Sequence, residues 1–388
     1  MLSKSTTLLF GGIGLVLIPS FVFIFDSYTS SQLTNYAKDV LGVTTQDVAS
    51  ITHQEVKKEK PPKREVQALY LTAHTAGNRE SLDKILRIID TTPLNALVID
   101  IKDYTGNIYF DTQFSLPHEL GIVKPVLGDL KGLIDYLHSK DIYVIARQTV
   151  FQDPALAQSK PEWALADVDG GDWKDWKGVG WVDMSMTQVW DYNIALAKDA
   201  ITFGFDEINF DYIRFPSDGP IKDMKFQNYD GSFPKHEIVT GFFARLHNEL
   251  KDEPAWLSGD LFGLTTVRRD DMSIGQLLES ASPYFDYIMP MTYPSHYPKG
   301  YNKFENPAEH PYEILFEAVK VANERIQAVP NNKATIRPWI QDFDIGAVYD
   351  RAKVQAQIQA IKDAGGDGYA SWNARNVYSI NDYEESHQ

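Results

Sequence analysis

Two hydrophobic rhythms alternate along the chain from Val66 to Trp372. Eight short runs are nearly continuous in Val, Ile, Leu and Tyr: Val66–Leu71, Ala96–Ile101, Ile142–Arg147, Glu207–Asp211, Trp256–Asp260, Asp286–Met291, Ala334–Ile340 and Gly368–Trp372. Runs of that length and content predict strands buried on both faces, as in a parallel sheet. Helical spacing lies between them. Leu130, Leu133, Ile134 and Leu137 form one apolar stripe, and Val189, Tyr192, Leu196 and Phe203 a second. Val239, Phe242, Phe243 and Leu246 form a third, and Val354, Ile358 and Ile361 a fourth.

Eight strand–helix repeats predict one α/β domain over residues 65–388, a (β/α)₈ TIM barrel rather than an open doubly wound sheet. No G-x-G-x-x-G follows the first run, so a dinucleotide fold has no support. The segment after Trp372 is short and polar, which predicts an eighth helix that is short or missing.

The N-terminus follows a different rule. Leu8 to Phe25 carries no charge and follows Lys4. As a helix it would nearly cross a hydrocarbon core of roughly 30 Å. Residues 1–25 therefore predict a transmembrane signal anchor, and no small-residue cleavage site follows to remove it. Residues 26–64 are polar and end in KKEKPPKRE, which predicts a linker stiffened by Pro61 and Pro62. The expected arrangement is a barrel outside the cytoplasm on a single membrane helix, secreted if the segment is cleaved.

Composition narrows the chemistry. A net charge of −16 argues against a phosphate-binding surface, and hence against nucleic acid as a partner. The absence of cysteine excludes disulfides, thiolate metal sites and a Cys nucleophile. The nine His are scattered without HExxH or paired spacing, so no metal and no cofactor is expected. Asp167-Val-Asp169-Gly-Gly-Asp172 is acidic, but it departs from an EF-hand loop. No G-x-S-x-G elbow is present.

In such barrels reactive groups project from the C-terminal strand ends. The runs here end in ionisable and aromatic residues while their bodies stay apolar. Period two puts Glu207, Asn209 and Asp211 on one face and Ile208 and Phe210 on the other. The polar set should face the barrel axis, with Asp211 nearest the mouth and Glu207 near the floor, paired to Lys or Arg. Asp211 is the expected catalytic carboxylate; the alternative is an ion pair with Arg214 or a neighbouring Arg. Asp260 ends the next run, about 4.8 Å away, within reach of the paired-acid separation that glycosidases use. It is the expected acid/base, or else a cap for the following turn.

Asp100 and Asp103 compete for those roles and otherwise bind substrate. Lys102, Arg147 and Arg337 should tune the acids or hold sugar hydroxyls. Arg214, Tyr293 and Gln341 complete the polar substrate contacts, and Trp339 and Trp372 offer flat faces for sugar rings. Trp163, Trp173, Trp176 and Trp181 crowd the segment after the third run. They form either a cap over the mouth or a small local core.

The string GFDEINFDYIRFPSDG at the fourth run resembles the signature of the bacterial "putative glycosyl hydrolase domain" family of exported barrels. YLTAHTAG, LVIDIKDYTG, WKGVGWVDMS, YIMPMTYPSHY and RPWIQDF extend the resemblance over most of Val66 to Trp372. The family looks related to α-galactosidase- and α-amylase-like barrels, whose nucleophile is an Asp at the fourth strand end; this implies Asp211. Those relatives take their acid/base from strand five or six. The sixth run ends in Tyr293 and His296 with no carboxylate, so Asp260 is the better match. The leading expectation is a monomeric hydrolase of O-glycosidic bonds in a cell-surface or extracellular polysaccharide. The alternatives are a non-catalytic carbohydrate-binding barrel of the cell envelope, and a divalent-metal hydrolase built on Asp100, Asp103 and Asp211.

Overall fold

The computed structural model describes residues 59–384, together with Leu8–Gly11, Ile13–Ile18 and Phe21–Ile24. The chain divides into two compact units, Met1–Lys58 and Glu59–Gln388. In the first unit the three described segments are strands of one antiparallel sheet, with Gly11 opposite Ile13 and Ile18 opposite Phe21. The expected transmembrane helix over residues 1–25 is not found among these described segments. Their β-branched and aromatic residues favour strands, and Gly and Pro at the breaks are the poorest helix formers. Among the described residues, no helix is long and apolar enough to cross a membrane. Of the expected linker, residues 26–58 lie outside the described part of the chain.

The second unit is a closed parallel barrel. Its strands are β1 (Val66–Leu71), β2 (Ala96–Lys102), β3 (Tyr143–Thr149), β4 (Glu207–Asp211), β5 (Trp256–Phe262) and β6 (Tyr287–Met291). β7 comes in two pieces, Thr335–Ile336 and Trp339–Gln341, and β8 is Gly368–Trp372. Pro338 explains the break in β7, since proline has no N–H to donate to a ladder. Neighbours in sequence are neighbours in the sheet, and the pairing of Gly368 with Val66 closes it. Gly368 has φ +76°, and a Cβ there would stand 2.0 Å from the Val66 carbonyl oxygen. Only glycine fits that seam.

The helices that alternate with the strands are α1 (Arg79–Ile89), α2 (Leu130–Ser139), α3 (Thr187–Thr202), α4 (Lys235–Leu250), α5 (Leu278–Ala281), α6 (Pro311–Gln327), α7 (Arg351–Asp363) and α8 (Ile380–Tyr383). α8 is a single turn, as the polar C-terminus predicts. Strand alternation divides the core in two. Ile208 and Phe210 face outward into the large cluster shared with the helices. Ala68, Tyr70, Val98, Ile145, Met289 and Trp339 fill the barrel interior.

Residues before β1 pack on the barrel rather than trailing free. The Pro61 carbonyl accepts from Trp256 Nε1 at 2.9 Å, and Arg64 pairs with Asp141 at 2.5 Å. Trp256 begins β5 and Asp141 precedes β3, so this strap crosses the N-terminal face, opposite the site.

Candidate functional site

The inward face of β4 sets three levels along the barrel axis. At the floor, Glu207 accepts from Arg337 Nη1 at 2.8 Å and from the Tyr143 hydroxyl at 3.0 Å, with all three side chains buried. Arg337 also stacks on Tyr287, 3.6 Å from the ring centre. This is the expected floor ion pair, and it spends Arg337 well below any substrate. At mid-level, Asn209 Nδ2 reaches Ser258 Oγ at 3.1 Å and Asp260 Oδ1 at 2.8 Å. At the mouth stands Asp211.

Asp211 opens onto a cavity of about 840 Å³ at the C-terminal strand ends. Asp100 (β2), Arg147 (β3), Asp260 (β5), Trp339 (β7) and Trp372 (β8) share its wall. Arg147 is the hub. Its Nη1 donates to Asp100 Oδ1 at 2.6 Å, its Nη2 donates to Asp211 Oδ2, and its Nε lies 3.9 Å from Asp260 Oδ2. One guanidinium thus faces three carboxyl groups, which uses its planar fork in a way a lysine could not. Because both face the same guanidinium, the Asp211 and Asp260 carboxyl groups can be no more than about 9 Å apart, a reach compatible with paired glycosidase acids. Register agrees: Asn209 pairs with Ser258 and Phe210 with Gly259, which sets Asp211 beside Asp260.

The two acids have different surroundings. Asp211 Oδ1 accepts from the backbone N–H of Tyr212 at 2.6 Å, so donors fix both of its oxygens. Tyr212 adopts φ +54°, rare for a bulky side chain, and this turn brings its amide back to the carboxylate. Asp260 is 1% exposed; burial, and next the charge on Asp211, push its carboxyl well above the usual range. Its Oδ1 already accepts from Asn209 Nδ2 and from Trp339 Nε1, each at 2.8 Å. A proton on Asp260 therefore belongs on Oδ2, the oxygen on the Arg147 side. Burial raises Asp100 to about 6, against the opposing pull of Arg147 and the Tyr70 hydroxyl, which donates at 2.5 Å.

Aromatic planes line the cavity beside the acids. Tyr70 stacks on Trp372 with ring centres 3.9 Å apart and 24° between planes, and the Arg147 guanidinium lies 5.0 Å from the Trp372 ring. A lining that combines flat apolar rings with carboxyl groups suits a sugar, which has C–H faces and hydroxyl edges.

Asp103 and Tyr293 also line the cavity. Three expected contacts lie outside its lining. Lys102 is fully buried against Asp153 at 2.7 Å, the Thr149 carbonyl and Asn193. A register shift between Asp100 and Lys102 breaks the alternation and turns Lys102 toward α3. Arg214 stacks over Phe262 at 4.5 Å and Trp181 at 5.1 Å and donates to the Phe215 carbonyl, because the turn at Tyr212 has already redirected the chain. Gln341 is spent on the Phe343 carbonyl and the Ser295 amide, tying together the loops after β7 and β6. Of the tryptophans after β3, Trp173 and Trp181 are buried in a local core, while Trp176 is 74% exposed.

Residues 68–378 match the family described as "Putative glycosyl hydrolase domain". The chain belongs to this family. A hypothetical protein from Ruminiclostridium thermocellum is 35% identical, over 53% of this chain and 98% of that one, with a TM-score of 0.46. The glycoside hydrolase domain of PgaB (BpsB) from Bordetella bronchiseptica superposes with a TM-score of 0.56 at 11% identity, covering 81% of this chain and 95% of that one. Alpha-L-fucosidase isoenzyme 2 from Paenibacillus thiaminolyticus gives 0.55 at 14% identity, with 83% and 48% covered. At these low identities the likeness is one of fold. No curated protein matches the sequence.

Within the family barrel, sequence reasoning missed Tyr70 and Tyr212. Tyr70 carried a signal, since it shares the inward alternation of β1 with Ala68. Tyr212 carried none, because its position depends on a left-handed turn that no residue preference announces.

Proposed function

We propose that this protein hydrolyses O-glycosidic bonds of a cell-surface or extracellular polysaccharide, using Asp211 and Asp260. The observation that carries the reading is the shared Arg147, which holds Asp211 by an ion pair and leaves Asp260 buried and protonation-prone beside it. Glycosidases need that asymmetry: one carboxylate attacks or activates water, and the other protonates the leaving oxygen.

In this account a sugar ring rests on Trp372 with its anomeric carbon toward Asp211. Asp260 Oδ2 donates its proton to the departing glycosidic oxygen. As that proton leaves, Arg147 Nε, which has no hydrogen-bond partner in the resting site, gains a full carboxylate to bind. The guanidinium thereby offsets charge that develops only during reaction, which is where stabilisation accelerates a step. Asp100 and the Tyr70 hydroxyl keep the guanidinium in its plane. The metal-dependent alternative fares worse on geometry. A guanidinium already stands between Asp100 and Asp211, and Asp103 turns an oxygen onto Thr105.

We extend to this chain the expectation of an extracytoplasmic location, since polysaccharide substrates lie there. The test is a screen of neutral, amino and acidic polysaccharides for reducing-end release by the full chain. Release from at least one supports the reading. Glycan binding without release from any would favour a lectin-like barrel instead.

A further inference from the structure

The cavity wall is charged unevenly. It carries four aspartates, Asp100, Asp103, Asp211 and Asp260, while Arg147 is its one lysine or arginine. Two of its nitrogens are taken by Asp100 and Asp211, and its Nε faces Asp260. The next basic residue along β2, Lys102, is sealed against Asp153. Among the described residues no cation pairs with Asp103. Its Oδ1 accepts from the Thr105 amide at 2.9 Å and the Thr105 hydroxyl at 2.5 Å, and the Tyr109 hydroxyl also donates to the carboxylate, so its partners are neutral. The Asp103 charge nevertheless reaches inward, since it acts on Asp100 and on Tyr109 in the same wall.

A second observation points to a polar ligand in the same space. Tyr293 is 8% exposed and lines the cavity, with its ring held by His296 at 5.3 Å and Phe343 at 5.5 Å. Its hydroxyl makes no hydrogen bond to any described residue, although burial and the charges of Asp260 and Asp211 both bear on it. A buried hydroxyl aimed into an open cavity without a partner needs one from the ligand. His296 adds no positive charge, because burial pushes its ring below the usual range.

We infer that the cavity selects a sugar carrying a free amine, with Asp103 as the specificity-determining residue, and that it excludes uronic acids and other anionic sugars. The inference rests on the proposed glycoside site and names its substrate class. Each other charged group in the wall has a counter-charge or a proton. Asp103 alone lacks one, and an ammonium group on the ligand supplies it. A carboxylate on the sugar would instead meet four acids and no free lysine or arginine, at short range where like charges repel.

The test is equilibrium binding by the full chain of sulfur-linked oligosaccharides, which resist hydrolysis: one of glucosamine, one of N-acetylglucosamine and one of galacturonic acid, of equal length. The glucosamine oligomer should bind at least about tenfold more tightly than its N-acetylated counterpart, the gain of one charge-assisted hydrogen bond. The galacturonate oligomer should not bind. Asp103→Asn keeps the Oδ1 acceptor that Thr105 needs, and should remove the gap while leaving N-acetylglucosamine binding unchanged. Raising salt should shrink the gap in the unmodified chain. Equal binding of amine and N-acetyl forms, tight galacturonate binding, or a gap untouched by salt and by Asp103→Asn would overturn the inference alone. Failure of all three oligomers to bind would count against the glycoside site as well.

Discussion

Replacing Asp260 by Asn isolates the step on which the proposed chemistry depends. Asn has nearly the same shape, and its Oδ1 can still accept from Asn209 and Trp339, the two donors that hold Asp260 at 2.8 Å. What disappears is the proton on the second oxygen, since the amide that replaces it is not an acid. Loss of general acid catalysis typically costs 10²–10⁴-fold, equivalent to about 3–5.5 kcal/mol of barrier. The neutral amide also matches the protonated state that burial favours for Asp260, so stability should hold or rise slightly. The assay compares two substrates of one sugar: a natural glycoside and an aryl glycoside whose phenolate leaves without help. On the natural glycoside kcat should fall by about 10²–10⁴, and on the aryl glycoside by far less. Equal losses on both would mean that Asp260 is not the acid, and undiminished activity on both would mean that it has no part in the reaction.

Three further outcomes follow from the same network. Arg147→Met leaves Asp100 and Asp211 buried without a counter-charge, so urea unfolding should report a loss of about 3–5 kcal/mol; a loss under 1 kcal/mol would contradict the hub assignment. Asp100 rises from the usual carboxylate range to about 6, so between about pH 4 and 6 the folded state binds more protons than the unfolded chain. The slope of unfolding free energy with pH is then negative: Asp100 penalises folding increasingly as pH rises through that window, by up to roughly 3 kcal/mol, and Asp100→Asn should flatten the profile. Lys102→Met removes the partner of the buried Asp153, so the melting temperature should fall while KM stays unchanged; a raised KM at unchanged stability would place Lys102 at the substrate after all.

The barrel was legible because its strands are short apolar runs and its helices carry clear stripes, so two periodicities alone separate them. The strand-four pattern was legible for the same reason: alternation assigned Glu207 to the floor and Asp211 to the mouth, and the positions agree. Local departures from alternation were not legible. A single-residue register shift sent Lys102 to the wrong side of the sheet, and a left-handed Tyr212 carried Arg214 away from the cavity. The central role of Arg147 was also hidden. Sequence placed it at a strand end beside the acids, but that one guanidinium touches Asp100 and Asp211 and faces Asp260 depends on three strands meeting at one height. At the N-terminus, hydropathy predicted a helix where the described segments are strands, because length and apolarity alone do not distinguish the two.

Everything proposed for the activity rests on Asp211 acting together with Asp260 at one glycosidic bond. The most direct measurement takes the polysaccharide from which the unmodified chain releases reducing ends and compares initial rates with Asp211→Asn. The account predicts a fall of several orders of magnitude, with affinity for the glycan kept within a few-fold. A variant that cleaves at the original rate would contradict it.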